Sequence, residues 1–179
     1  AAKAAIPCHA GQQWHWAGAT FSVIYPKATS PQNAGSQQNS AASTGNNASC
    51  VLLIEYRDRR ILLTGDIEEP VERILLAQPE LANGVLANGV DVLVAPHHGS
   101  NSSSILPFVR WLHPAHVVFT SGYLNRYGHP HPKVMQRYQQ QGSITHRSDK
   151  DGFVRFEVGD DGKLAVTRWR ERFRRYWFN

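Results

Sequence analysis

The sequence predicts a layered α/β domain built on an open sheet, and three observations carry that prediction. Two continuous apolar runs, ILLTGD ending at Asp66 and DVLVAP ending at Pro96, read as strands buried on both faces, and HVVFTS over residues 116–121 reads as a third. Segments with helical patterning lie between them. The first two runs end abruptly in residues that coordinate metals, Asp66 and the pair His97 and His98. Open α/β sheets collect their chemistry there, outside the carboxyl ends of the strands.

The elements follow in order. GQQWHWAG, residues 11–18, is turn-rich and aromatic and leads into TFSVIY, whose alternation of apolar and polar residues predicts a strand over 20–25 that Pro26 ends. From residue 27 to 49 the composition shifts to Ser, Asn, Gln, Ala and Gly, with almost nothing to bury. That predicts a long, flexible, solvated loop, with a substrate-contacting flap as the competing reading. CVLLIEYR, residues 50–57, resumes as a strand, and the polar link 58–60 turns it into ILLTGD as a hairpin. IEEPVERILLAQ carries acids and a proline near its start and apolar residues at Val71, Ile74 and Leu75, the pattern of an amphipathic helix. LANGVLANGV, residues 81–90, is a tandem of two five-residue copies, too few for a solenoid, and reads as a duplicated loop or a short helical extension.

SILPFVRWLH is helical in pattern, with a start expected at one of the serines Ser102 to Ser104, whose hydroxyls can cap free amides. GYLNRYGHPHP is a loop crowded with polar and aromatic groups, and PKVMQRYQQQG is a helix stopped at Gly142. Residues 143–146, 153–158 and 163–167 read as short strands between polar turns. The tail RWRERFRRYWFN, residues 168–179, interleaves five arginines with five aromatics. As a strand it would present one cationic face and one stacking face, suited to phosphates and unpaired bases or to docking within a larger protein.

Length and composition bound the class. A chain of 179 residues with 41% hydrophobic content fits one globular domain with an ordinary core. Its formal charge of +5, with nine histidines in reserve, is compatible with a polyanionic partner. No apolar run reaches the roughly 18 residues of a membrane span, and AAKAAIPCHAG lacks the pattern of a signal peptide. A start on Ala1 rather than methionine suggests a piece of something longer. Cys8 and Cys50 fit no zinc knuckle; they are either one bridge, in an oxidising compartment, or two separate buried thiols.

Asp66 supplies a hard oxygen, and His97 and His98 supply imidazole nitrogens, a donor set suited to zinc or manganese. Gly65 and Gly99 beside them let the backbone turn sharply and a substrate come close. Ser100, Ser102 and Ser103 can donate to phosphate oxygens at a helix start or simply cap the helix. Asn125, Arg126 and His129 share one polar loop, and a structural turn built on Pro130 and Pro132 is one reading of it. Arg168 and Arg170 are the first candidates in the tail for DNA contact. His113, His116, His131 and His146 read as structural.

LLTGD, then DVLVAPHHGSNSSS, then NRYGHPHP, together with CHAGQQWHWAG, NNASCVLLIEY and ITHRSDKDGFVRF, resemble the carboxyl-terminal metallo-β-lactamase-like domain of ComEC-type DNA-internalisation proteins across nearly the whole chain. The resemblance implies the second half of an αββα sandwich, a mixed sheet with flanking helices spanning residues 1–179. It implies Asp66 as the carboxylate bridging two divalent metals, manganese or zinc, with His97 the terminal ligand and His98 a ligand or its support. The implied activity is phosphodiester hydrolysis on the strand of DNA that is not transported. For the loop of Asn125, Arg126 and His129 the resemblance implies contact with a phosphodiester, with Arg126 or His129 stabilising or protonating the departing oxygen; the structural turn is the alternative. The implied partners are single-stranded DNA and the membrane channel of the same parent in the inner membrane; the sequence does not fix the side of the membrane, with the periplasmic or extracellular face slightly favoured.

The departure from that superfamily is large. Its principal metal motif, of HxHxDH type, should precede Asp66, and neither His9 nor His15 has the spacing. One carboxylate and one imidazole do not make a two-metal clamp. The chain is therefore expected to bind metal weakly or not at all, to show little or no catalysis alone, and to self-associate through exposed strand edges. Another HHGS-type phosphodiesterase or ester hydrolase, and a non-catalytic domain that guides DNA or packs on the channel, are the alternatives.

Overall fold

The computed structural model describes residues 6–27 and 44–173. A seven-stranded sheet runs in chain order through β1 (Gln13–Trp16), β2 (Ala19–Tyr25), β3 (Val51–Tyr56), β4 (Arg59–Leu63), β5 (Val92–Val94), β6 (His116–Phe119) and β7 (Ile144–Arg147). β1 to β4 are antiparallel neighbours, and β4 to β7 are parallel, so the sheet is mixed. Each parallel step needs a crossover. Helices α1 (Glu69–Leu76), α2 (Leu106–Leu112) and α3 (Pro132–Gln140) supply the three.

The register sorts the side chains into two faces. Leu53, Leu62, Leu93 and Val117 lie in one cross-strand row and are fully buried, in a single core with Val71 and Leu75 of α1, Phe108, Val109 and Leu112 of α2, and Val134 and Tyr138 of α3. All three helices therefore cover one face. On the other face, β8 (Val154–Val158) and β9 (Leu164–Arg168) form a separate antiparallel hairpin. Phe156 sets its ring against His116 and His146, while Arg57 and Arg59 hold the carbonyls of Gly159 and Gly162 at the hairpin turn. The hairpin covers only part of that face. Leu52, Ile54, Ile61, Leu63, Val94 and Val118 stay partly exposed, a half-covered apolar surface on an otherwise layered α/β fold.

Several local expectations change. β1 is a strand where the aromatic stretch reads as turn-rich, because Trp14 stacks on its partner Phe21 with ring centroids 5.2 Å apart. The serines do not cap α2. Its N-cap is Ile105, and the Glu72 carboxylate on α1 instead accepts the amides of Ser104 and Ile105. Burial pushes the Glu72 carboxyl up to about 7. The LANGVLANGV stretch makes a π-helical turn over Leu81–Val85 and then a loop.

Of the polar stretch 27–49, residues 28–43 lie outside the described residues. Gly45–Ala48 form a 3-10 turn, with Asn47 buried, so this end is fixed against the protein rather than flexible. The described part of the tail is not a strand: β9 ends at Arg168, and α4 (Trp169–Arg172) turns helically, with Trp169 packed on Phe173. Residues 174–179 lie outside the described residues. Cys8 and Cys50 are joined in a disulfide, which excludes two separate buried thiols; Cys50 is in fact exposed. Among the described residues no helix is long and apolar enough to cross a membrane.

Candidate functional site

The parallel strands β4, β5 and β6 end together, and the loops after them share one edge. β4 runs into Thr64, Gly65 and Asp66. Gly65 has φ +56°, and a Cβ there would come within 2.8 Å of Ser49, so the turn that presents Asp66 is built for glycine. The Asp66 amide donates to Ser49 Oγ at 3.1 Å, and the Glu68 amide donates to Asn47 Oδ1 at 2.9 Å. The end of the polar stretch thus cradles the loop carrying the acids.

β5 runs into Pro96, His97, His98 and Gly99. His97 and His98 both sit in left-handed backbone, φ +47° and +55°, a conformation unfavourable for two successive non-glycine residues. The surroundings enforce it. The His97 amide donates to Gly65 O, Ser100 N–H returns to His97 O, and Ser103 Oγ donates to Pro96 O. Gly99 is wedged against Phe119 and Pro130.

The result brings together most of the residues singled out by sequence. His98 Nε2 lies 3.4 Å from Asp66 Oδ1, and its Nδ1 meets Thr120 Oγ1, at the end of β6, at 2.9 Å. His97 faces a different acid: its Nδ1 lies 3.2 Å from Glu68 Oε1, with Asn46 Nδ2 at 3.4 Å from its Nε2. Ser102 Oγ donates to the same Glu68 oxygen at 2.7 Å. The His129 ring meets the His97 ring edge-on at 5.8 Å between centroids. Burial, then the charges of His97, His98 and His131, hold the His129 imidazole below its usual range.

Other candidates stand apart from this cluster or are occupied within it. Ser103 is fully buried, and its hydroxyl donates to the carbonyls of Pro96 and Ser100, so it has no face for a substrate. Ser100 pairs its hydroxyl with that of Ser102 at 3.0 Å. Asn125 closes its own loop: its amide donates to Gly122 O and His129 O, and its oxygen accepts the His129 amide. Arg126 stacks over Tyr127. Arg168 donates to His146 Nδ1 on the far face of the sheet, and Arg170 donates to the carbonyls of Asp149 and Lys150.

Glu68, Asn46, Ser49 and Thr120 were not legible as site residues. Glu68 reads as one of two acids favouring a helix start, and indeed caps α1 by position. Only the left-handed loop turns His97 onto it.

Asp66 and His98 present two adjacent donors, each somewhat under half exposed. Among the described residues, no three His, Cys, Asp or Glu side chains are arranged to hold a metal ion. Catalytic zinc takes three protein ligands, and a two-metal clamp takes more. These residues by themselves do not fit a binuclear centre.

No family model matches the chain. It is 36% identical over 136 residues to the uncharacterized protein YcaI of Escherichia coli (strain K12), covering 76% of this chain and 16% of that protein. It is 33% identical over 156 residues to competence protein ComA of Neisseria gonorrhoeae, covering 87% of this chain and 20% of that protein. It is 32% identical over 136 residues to ComE operon protein 3 of Bacillus subtilis (strain 168), covering 76% of this chain and 15% of that protein. The chain thus spans about a sixth to a fifth of the length of these curated relatives.

Proposed function

Because this chain belongs with the ComEC-type competence proteins, we propose that it serves DNA uptake as part of a metal-dependent nuclease domain in a longer membrane protein. The observation that carries this reading is the adjacency of Asp66 and His98, with His97 turned onto Glu68, at the shared carboxyl edge of β4 and β5. Carboxylate and imidazole donors of this kind suit manganese or zinc. When bound there, such ions would supply Lewis-acid chemistry to a phosphodiester.

In this reading the chain is one half of a metallo-β-lactamase-like sandwich. The half-covered apolar face of the sheet, lined by Leu52, Ile54, Ile61, Leu63, Val94 and Val118, supports it, since a second layer would bury that face. The same face favours association with the rest of the parent or with another copy. The Cys8–Cys50 disulfide supports a place on the periplasmic or extracellular side of the inner membrane, where such bonds persist. Asp66, His97 and His98 form one wall of the site, and the remaining metal donors come from elsewhere in the parent. Thr120 and Glu68 hold the two imidazoles in place, and His129 stands behind His97.

A second reading, a non-catalytic domain that guides DNA, is favoured by the incomplete donor set among the described residues. Manganese- and zinc-dependent cleavage of single-stranded DNA by the full parent, compared with its Asp66→Ala, His97→Ala and His98→Ala variants, separates the two. Loss of cleavage in the variants is expected. Unchanged cleavage in all three would sink the assignment, and a parent inert with either metal would favour the guiding role.

A further inference from the structure

The loop between β6 and α3 presents three large side chains almost bare to solvent: Tyr123 at 74% exposure, Leu124 at 83% and Tyr127 at 67%. The loop is not loose. Asn125 fixes it by three hydrogen bonds to Gly122 and His129, and Leu124 is held at φ +52°. Within it the rings are ordered. The Arg126 guanidinium lies 4.9 Å from the centre of the Tyr127 ring and donates to the Tyr127 hydroxyl at 2.8 Å. Tyr127 lies nearly parallel to His129, with centroids 5.9 Å apart and planes 18° apart, and His129 meets His97 at the site. A run of ring contacts therefore leads from His98 through His97 and His129 to Tyr127 and an arginine at the surface.

We propose that residues 123–127 are a stacking platform for an unpaired nucleobase of a DNA strand that runs past the Asp66–His98 edge of the sheet. The proposal rests on the DNA reading above and deepens it by naming what selects the strand. Every base offers a flat π-face, so aromatic side chains bind single strands with little sequence preference. Bases in a duplex are already stacked on one another and offer no free face without paying to unstack. Arg126 adds a planar cation that can stack on a base or meet a neighbouring phosphate. The loop's bracing matters energetically, because a platform already ordered loses little entropy on binding.

The test measures binding of the 179-residue chain to a labelled short oligothymidylate, to an abasic strand of equal length and charge, and to a duplex, by fluorescence anisotropy at one fixed salt concentration. The oligothymidylate is expected to bind about fivefold or more tightly than the abasic strand. Tyr127→Ala and Tyr123→Ala should each weaken it by about fivefold while leaving the abasic strand unchanged, and Tyr127→Phe should retain binding. Both tyrosines are exposed, so the melting temperature of the variants should match the parent chain. Equal affinity for the abasic strand, or an unaffected double alanine variant, would overturn the platform and leave the DNA reading standing. Failure of the unmodified chain to bind any of the three would overturn the platform and leave the loop to an apolar protein partner, while the DNA reading is decided separately by cleavage in the full parent.

Discussion

Glu68 Oε1 lies 3.2 Å from His97 Nδ1 and accepts the Ser102 hydroxyl at 2.7 Å. A carboxylate can only accept, so the proton on His97 sits on Nδ1 and the Nε2 lone pair faces the Asn46 side-chain amide at 3.4 Å. Carboxylate support of this kind orients an imidazole and raises its basicity. In Glu68→Ala the Nδ1–H form of His97 should lose population, read from the ring nitrogen shifts in NMR, with the fold intact. An unchanged tautomer in that variant would remove Glu68 from the site.

Gly99 tests how tightly the histidine loop is built. A Cβ there would lie 2.6 Å from Phe119 and 2.7 Å from Pro130, and the residue sits at φ +83°. Phe119 is in the core and Pro130 is buried, so neither can yield cheaply. Gly99→Ala should destabilise the chain by about 2–4 kcal/mol, combining overpacking with left-handed strain. Gly128→Ala is the control: it has φ +67° but nothing within 4 Å of a Cβ, so chemical denaturation should show a smaller loss.

The strands were legible because their apolar runs are continuous, and β4, β5 and β6 fall where ILLTGD, DVLVAP and HVVFTS place them, although only the helix-covered face is fully buried and Ile61, Leu63, Val94 and Val118 on the other stay partly exposed. β8 and β9 were legible as short strands between polar turns, while their pairing into a hairpin apart from the main sheet was not. What sequence did not carry were contacts between distant segments. Glu72 reads as an ordinary acid on an amphipathic helix, and only the packing of α1 on α2 brings it to the amides of Ser104 and Ile105. Asn46 and Ser49 sit in a stretch whose composition suggests solvent, and nothing local marks them as neighbours of His97 and Asp66. In the same way, alternation of Arg and aromatic residues suggests a strand after residue 167, whereas the chain turns into α4 at Trp169.

Glu72 should also shape the pH dependence of stability. Its carboxyl is raised from an ordinary value of 4.5 to about 7, chiefly by burial, against the pull of the two amides it accepts. A raised acid stabilises the fold fully below its unfolded value, and that contribution is lost as pH rises through the folded one. Stability from this group should therefore fall between about 4.5 and about 7. Glu72→Gln, of nearly the same shape and without the charge, should flatten that slope in urea titrations across the window. A parallel slope in the variant would show that Glu72 does not titrate there.

The disulfide closes a loop between Cys8, ahead of β1, and Cys50, at the start of β3, a separation of 42 residues. The enclosed segment contains few residues with apolar surface to bury outside β1 and β2, so the crosslink adds to the β2–β3 ladder in fixing the sheet's antiparallel edge. Reduction should cost about 2–4 kcal/mol. Increased hydrogen exchange should concentrate in β1 and β2, while β4 to β7 keep their protection. Loss confined to no particular strand, or no loss of stability, would count against the bridge as an edge clamp.

On the face away from the helices, Arg168 Nε donates to His146 Nδ1 at 3.0 Å, and His146 Nε2 lies 3.1 Å from His116 Nδ1. Arginine only donates, so His146 Nδ1 is the acceptor and its proton is on Nε2, directed at the His116 lone pair. One neutral arrangement satisfies all three groups. A second proton on His146 would face the guanidinium. Burial first, then Arg168 and His116, bring the His146 imidazole down to about 4, with Asp151 pulling weakly the other way. Asp91 acts similarly on His116, whose imidazole burial also lowers. A base lowered in this way supports the fold fully above its unfolded value of 6.5 and loses that support as pH falls through about 4. The contacts at stake, Arg168 on β9 and the Phe156 ring against both histidines, are those that seat the β8–β9 hairpin on the sheet. Acidification across that window should therefore release the hairpin before the helix-covered core, seen as faster hydrogen exchange over residues 154–168. His146→Gln should remove the acid dependence there, and an acid response of the same size in that variant would assign the effect to another group.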